Sequence, residues 1–208
     1  MWNWLSENSD VVQVVVGAVS ALVWVVYLQL LLSNYRQQRQ SVLLINRGGS
    51  KDENARCLIT NMGSEPIYLL DVIAELELED GKQSVRVTDR DELKEDDVAN
   101  PAERTNQGPL DSGAFVDVGS FREVFMRAES RLGLQGPQNR VKSVVLTAVA
   151  ASNHAKHLVA GCREFKVLRG ENEDEVPRFV PTSVLTHQIK SWRRRRDLQA
   201  MLNGWLDD

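Results

Sequence analysis

Apolar and polar positions follow one rule up to about residue 40 and another beyond it. Val11 to Leu32 runs VVQVVVGAVSALVWVVYLQLLL, twenty-two residues without a charge. At about 1.5 Å per residue a helix of this length reaches roughly 33 Å, enough for a hydrocarbon core of about 30 Å. Buried helices of soluble proteins are usually shorter and keep a polar face. A cleaved signal peptide should begin with a basic segment, yet residues 1–10 hold Glu7 and Asp10 and neither Lys nor Arg. The pattern therefore predicts a retained transmembrane helix. Basic flanks stay in the cytoplasm, and Arg36, Arg39 and Arg47 all follow the span. Expected topology is a short extracytoplasmic N-terminus and a large cytoplasmic C-terminal part. Trp2, Trp4 and Tyr35 suit the two interfacial belts.

The span differs around its circumference. Gln13, Gly17, Ser20, Ala21, Trp24 and Tyr27 fall within about 120° at 100° per residue, while Val and Leu cover the rest. Small residues let backbones approach, and an intramembrane Gln gains a hydrogen-bond partner across an interface. Self-association, or pairing with another membrane protein, is expected through Gln13, Gly17, Ser20, Ala21 and Trp24.

From residue 41 the period changes to two. Ser41–Asn46 and Ala55–Thr60 are short apolar runs closed by the turn residues Gly48-Gly49 and Asn61–Pro66. Leu70, Val72, Ala74, Leu76 and Leu78 alternate with Asp71, Ile73, Glu75, Glu77 and Glu79, the pattern of a half-buried strand. Asp80-Gly81 suits a two-residue hairpin turn. It would set Glu79 against Lys82, Leu76 against Val85, Glu75 against Arg86 and Ala74 against Val87. Residues 88–112 are acidic and poor in apolar side chains, which predicts a long exposed loop. Gly113–Val118 forms a short strand. Ser120 with Glu123 is a capping-box signature, and Phe121, Val124, Phe125, Ala128 and Leu132 recur at helical spacing, so a helix is expected over 120–132. Val141–Ala151 and His157–Leu168 complete a second hairpin.

The predicted fold is mainly β: a single N-terminal transmembrane helix, then a β-sandwich-like domain of immunoglobulin-like architecture. One helix covers that domain, and a basic amphipathic helix ends the chain. Boundaries fall at 1–10 (short terminus), 11–32 (span), 33–40 (basic linker), 41–182 (β-domain) and 183–208 (C-terminal segment). In that last segment Leu185, Ile189 and Trp192 share one helical side. Leu198, Met201, Leu202, Trp205 and Leu206 share another.

Composition changes the picture in two places. The 208 residues carry a net charge of -4, but 40–182 holds 24 acidic and 18 basic side chains, whereas 183–208 is net +2. The acidic domain is repelled by anionic headgroups and the tail is drawn to them. Trp192, Arg193, Arg194, Arg195, Arg196 and Trp205 are the candidate residues for membrane or partner contact. Nucleic acid is disfavoured as partner, because the surrounding domain is acidic and offers no stacking platform.

Two cysteines exclude a disulfide scaffold and a tetrathiolate zinc site. His154, His157 and Cys162, with Cys57, could bind a metal only if all four converged. Alternation instead makes the cysteines small core residues. The acidic runs 89–97 and 171–175 lack the calcium-loop spacing. No nucleophile elbow, triad context or phosphate loop is present, so neither catalytic residue nor cofactor is expected. The sequence thus predicts a membrane-anchored, non-enzymatic interaction or scaffold module of the inner membrane, with its C-terminal domain cytoplasmic. The alternative is a tethered sensor whose β-domain binds a small ligand, such as a signalling nucleotide, and rearranges the membrane helices.

Overall fold

A computed structural model describes residues 9–38, 41–79, 81–90, 104–133, 141–152, 158–168 and 177–205. The chain divides into two compact units, 1–40 and 41–208. In the first, α1 (Ser9–Gln38) is a continuous helix of 30 residues. Its stretch Asp10–Ser33 has a mean hydropathy of 2.3 and is not buried, so it is long and apolar enough to cross a membrane. A helix is the form such a segment needs, since in hydrocarbon its backbone groups must bond internally.

The second unit is two antiparallel sheets. The smaller joins β1 (Leu43–Gly48), β2 (Arg56–Asn61) and β6 (Phe115–Ser120), in that order. The larger runs β10 (His187–Gln188), β8 (Val159–Leu168), β7 (Ser143–Ser152), β3 (Ile67–Leu78) and β4 (Gly81–Arg86). At twelve residues β3 is long enough for two partners on one edge: β5 (Gly108–Leu110) pairs with its start and β4 with its end. Along β8, β9 (Arg178–Pro181) sits beside β10 in the same way. The inner face of the large sheet meets the small sheet through Leu43, Ile45, Ile59, Leu69, Val72, Leu76 and Leu146, all buried. This is the expected sandwich, with ten strands among the described residues.

Helix α2 (Phe121–Leu132) closes one end of the core. Its capping box is formed: Glu123 N–H donates to Ser120 Oγ at 3.2 Å, and Ser120 N–H donates to Glu123 Oε2 at 2.7 Å. Gly119, at φ +121°, precedes it because a Cβ there would lie 2.5 Å from Glu123 Oε2 and 2.9 Å from Arg127 Nη2. Phe121 stacks on Phe179 at 4.6 Å, and Phe125 meets the same ring at 5.1 Å. The buried Arg127 clamps the helix to the sheet by donating to Val87 O and Val118 O at 3.0 and 2.8 Å.

Three expectations change. The β3–β4 register differs: Ala74 faces Val85, Ile73 faces Arg86, Glu75 faces Ser84 and Leu78 faces Gly81. Charge pairs near the turn do not set it. At the far end of the strand, Arg86 Nε donates to the buried Asp71 carboxylate at 2.8 Å, and Thr88 Oγ1 donates to the same group. Glu75 binds Lys82 diagonally, at 3.1 Å, and that contact raises the lysine's pKa. Second, β3 is buried on both faces at its centre. An irregularity between Leu69 and Asp71 breaks the alternation, so Leu69 takes the inward position while Leu70 is half-buried. Ile73, on the face predicted to be solvated, is 3% exposed. Third, the predicted loop 88–112 contributes to the core where it is described. Thr88 and Asn106 are buried, and Asn106 Nδ2 donates to Thr88 O at 2.9 Å. Residues 91–103, Asp80 of the predicted turn and the acidic run 171–175 lie outside the described residues.

The free edge of β1 is satisfied by side chains instead of a strand. Gln188 accepts from Leu43 N at 3.1 Å and donates to Leu43 O at 2.6 Å. Thr186 Oγ1 accepts from Ile45 N at 2.7 Å, and Arg163 Nη1 donates to Ile45 O at 2.6 Å. Gly161 permits this approach: a Cβ there would meet Thr186 at 3.0 Å and Leu43 at 3.3 Å.

Candidate functional site

Gln13, Gly17, Ser20, Ala21 and Trp24 are all exposed on α1. A Cβ on Gly17 would meet nothing within 4 Å, and Trp24, 69% exposed, meets the Tyr27 ring edge-on at 6.1 Å. The small and polar face is bare along the single chain. Of the basic flank, Arg47 belongs to β1, where its guanidinium donates to Phe179 O. Arg39, Trp2 and Trp4 lie outside the described residues, as do the side chains of Tyr35 and Arg36.

The two apolar clusters of the C-terminal segment suggested two half-helices, or one helix touching two surfaces. Among its described residues one helix forms, Trp192–Gly204 (α3), with Ser191 at its N-cap. Leu198, Met201, Leu202 and Trp205 pack on the outer face of the large sheet, against Ile73, Val149, Ala160 and Ile189. Helix α3 thus covers the face that carries Ile73. Trp205 is committed here: Arg86 sits 5.7 Å over its ring and donates to its carbonyl at 3.4 Å. Of the six predicted contact residues, then, Trp205 faces the sheet. Trp192, Arg193, Arg194 and Arg196 are exposed, and Arg195 is half-buried with Nε donating to Ile189 O at 2.7 Å. Arg196 stacks 5.0 Å over Trp192. Leu206 lies outside the described residues.

The loop before β10 presents residues that sequence reasoning misplaced. Val184 is 87% exposed and Leu185 73% exposed. Leu185 shares its helical phase with Ile189 and Trp192, but residues 182–186 are a loop, where that phase has no meaning. Behind the loop Arg163 is buried. Its Nη2 donates to Ser183 O at 2.9 Å, while its Nε has no partner. Burial, then the nearby Arg47, lowers its pKa.

The two cysteines lie in different layers, Cys57 in the inner core and Cys162 beneath α3. They cannot share a metal. Burial pushes the Cys57 thiol up to about 12 and raises Cys162 in the same direction. His154 and His157 lie outside the described residues, among which no three His, Cys, Asp or Glu side chains gather as metal ligands.

An open cleft of about 490 Å³ is lined by Ser84, Val85, Arg86, Arg131, Leu132 and Trp205. Both cations already have acidic neighbours: Arg86 binds Asp71 at 2.8 Å and Arg131 lies 3.6 Å from Asp89. The cleft offers an indole, an aliphatic wall and two partly neutralised guanidinium groups. Comparison with family models, curated proteins and solved structures returned no match to this chain.

Proposed function

We propose that this chain is a single-pass, membrane-anchored interaction module that works by binding and not by catalysis. Its β-domain lies on the cytoplasmic face of the inner membrane. The observation that carries the reading is α1: a 24-residue apolar helical stretch in which no residue is buried, joined to a separate, well-packed domain. Leaving that much apolar surface in water is costly, at about 25 cal/mol per Å², and a bilayer removes the cost. Orientation rests on the basic residues that follow the span. The bare face containing Gln13, Gly17, Ser20, Ala21 and Trp24 supports association with a second copy or another membrane helix. Fusing a cytoplasm-only fluorescent reporter, and separately an export-dependent phosphatase, after Asp208 tests the topology. Fluorescence without phosphatase activity is expected, and the converse pattern overturns the orientation.

A second reading, a tethered ligand sensor, is favoured by the cleft around Arg86, Arg131 and Trp205, whose chemistry suits a planar anion. In that case a nucleotide raises the unfolding temperature, and Trp205→Ala removes the rise.

A further inference from the structure

We propose that the edge of the β-domain formed by the 182–186 loop and the first turn of α3 docks on anionic lipid headgroups, with Val184 and Leu185 entering the acyl boundary. The proposal rests on the membrane-anchored reading and adds to it a surface and a partner.

Apolar exposure comes first. Val184 and Leu185, 87% and 73% exposed, are held outward by a pinned loop. Ser183 Oγ donates to Leu185 O at 2.7 Å, Arg163 holds Ser183 O from inside at 2.9 Å, and Thr186 is bonded to β1. The loop therefore presents two large side chains to solvent on a fixed backbone. Trp192, 58% exposed, adds an amphipathic ring suited to the headgroup layer.

Charge is the second observation. Lys190, Arg193, Arg194 and Arg196 are exposed. Arg196 is 3.9 Å from Asp197, with both side chains mostly in solvent, and among the described residues no carboxylate is within ion-pairing distance of the other three. Four consecutive arginines also follow the N-cap of α3, where the helix dipole is positive and Ser191 makes no side-chain cap. The unpaired charge of Lys190, Arg193 and Arg194 and the basic run at a positive helix end are unfavourable in the isolated domain, and a layer of phosphates relieves both together. The remainder of the domain is acidic, with 24 acids against 18 bases over 40–182, so its net charge does not compete with this edge for such a layer.

Connectivity is the third. Nine residues separate Ser33, the end of the apolar stretch, from Leu43. Leu43 is bonded through both backbone groups to Gln188, four residues before Trp192. The docking edge thus adjoins the point where the tether joins the domain, and tethering raises the local lipid concentration it meets.

The test uses the full chain in lipid nanodiscs, with Cys162→Ala and Val184→Cys carrying an environment-sensitive fluorophore. Discs are either neutral phosphatidylcholine or contain about a third of anionic phosphatidylglycerol, enough to set a negative surface potential. A blue shift confined to anionic discs, abolished by Arg193→Glu with Arg194→Glu and reduced by Leu185→Ser, is the expected result. Water-like emission in both discs, with the chain co-eluting with lipid, overturns docking while leaving the anchor intact. Failure to co-elute overturns the membrane-anchored reading itself. Reversal of the shift by single-stranded RNA would overturn lipid as the partner in favour of nucleic acid.

Discussion

Helix α2 begins at Ser120 with a reciprocal capping box, carries Glu123 in its first turn and Arg131 in its last, and ends at Gly133 in the left-handed conformation. Helix α3 begins at Ser191 without a side-chain cap, follows it with Arg193 to Arg196, has no basic residue in its last turn and ends on Trp205. Five residues of α2 are fully buried and none of α3 is. The caps and end charges of α2 agree with its position, so its termini read as stabilising features. Helix α3 holds its place through one partly buried stripe while its N-terminus opposes its own dipole. Arg195 on Ile189 O and Arg196 on Trp192 offset that conflict only in part, and local preferences that conflict in this way point to a function outside the domain.

Truncation in the two cores should separate the helices most. Phe125→Ala removes a ring packed on Phe179 and should cost about 3–5 kcal/mol. Leu202→Ala, at a half-buried position, should cost about 1–2 kcal/mol. Urea unfolding of the full chain in detergent measures both, and equal losses would erase the distinction.

The thiols report on the same two layers. With its pKa moved from 9.0 to about 12, Cys57 should present roughly a thousandfold less thiolate than an ordinary cysteine at pH 8. Iodoacetamide should therefore modify Cys162, beneath α3, well before Cys57. Above pH 9 an unfolded chain ionises Cys57 while the folded chain keeps its proton up to about 12. The unfolded state then binds fewer protons, so this site's contribution to stability should fall as pH rises through that window. Faster labelling of Cys57 than Cys162 would place it outside the inner core.

Smaller effects come from the caps. Ser120→Ala should cost about 1 kcal/mol and Ser191→Ala less than about 0.5 kcal/mol, because only the first hydroxyl satisfies a backbone donor. Thermal unfolding of the two variants gives the comparison, and matching losses would mean that Ser191 caps α3 after all. Of opposite sign and similar size, Arg193→Glu should stabilise α3 in lipid-free detergent by about 0.3–1 kcal/mol, since an acid suits a helix N-terminus. A loss there would show that the arginine already has a partner within the domain.

How legible each part was in the sequence follows from how local its cause is. The apolar span and α2 are written in runs of neighbouring residues, and both form where the pattern placed them. The inward face of β3 from Val72 to Leu76 was legible too, but not the burial of Ile73 on the other face, nor the register. That is fixed by Asp71, Arg86 and Thr88 at the end far from the turn, together with an irregularity at Leu70 that alternation cannot reveal. The bonding of β1 to Arg163, Thr186 and Gln188 joins residues more than a hundred positions apart and leaves no local signature. For the candidate site, the arginine run and Trp192 stood out by composition. That Trp205 turns inward over Ile73 depended on which sheet face lacked a cover. Likewise, the exposure of Val184 and Leu185 depended on a loop that no helical wheel describes.

Amide hydrogen exchange of the full chain, compared between neutral and anionic nanodiscs, tests most directly whether α3 differs from α2 because it meets lipid. Amides of 193–196 should gain protection in anionic discs, and those of 121–132 should exchange identically in both. Equal protection of 193–196 in the two lipids would contradict the account, as would a parallel change in α2.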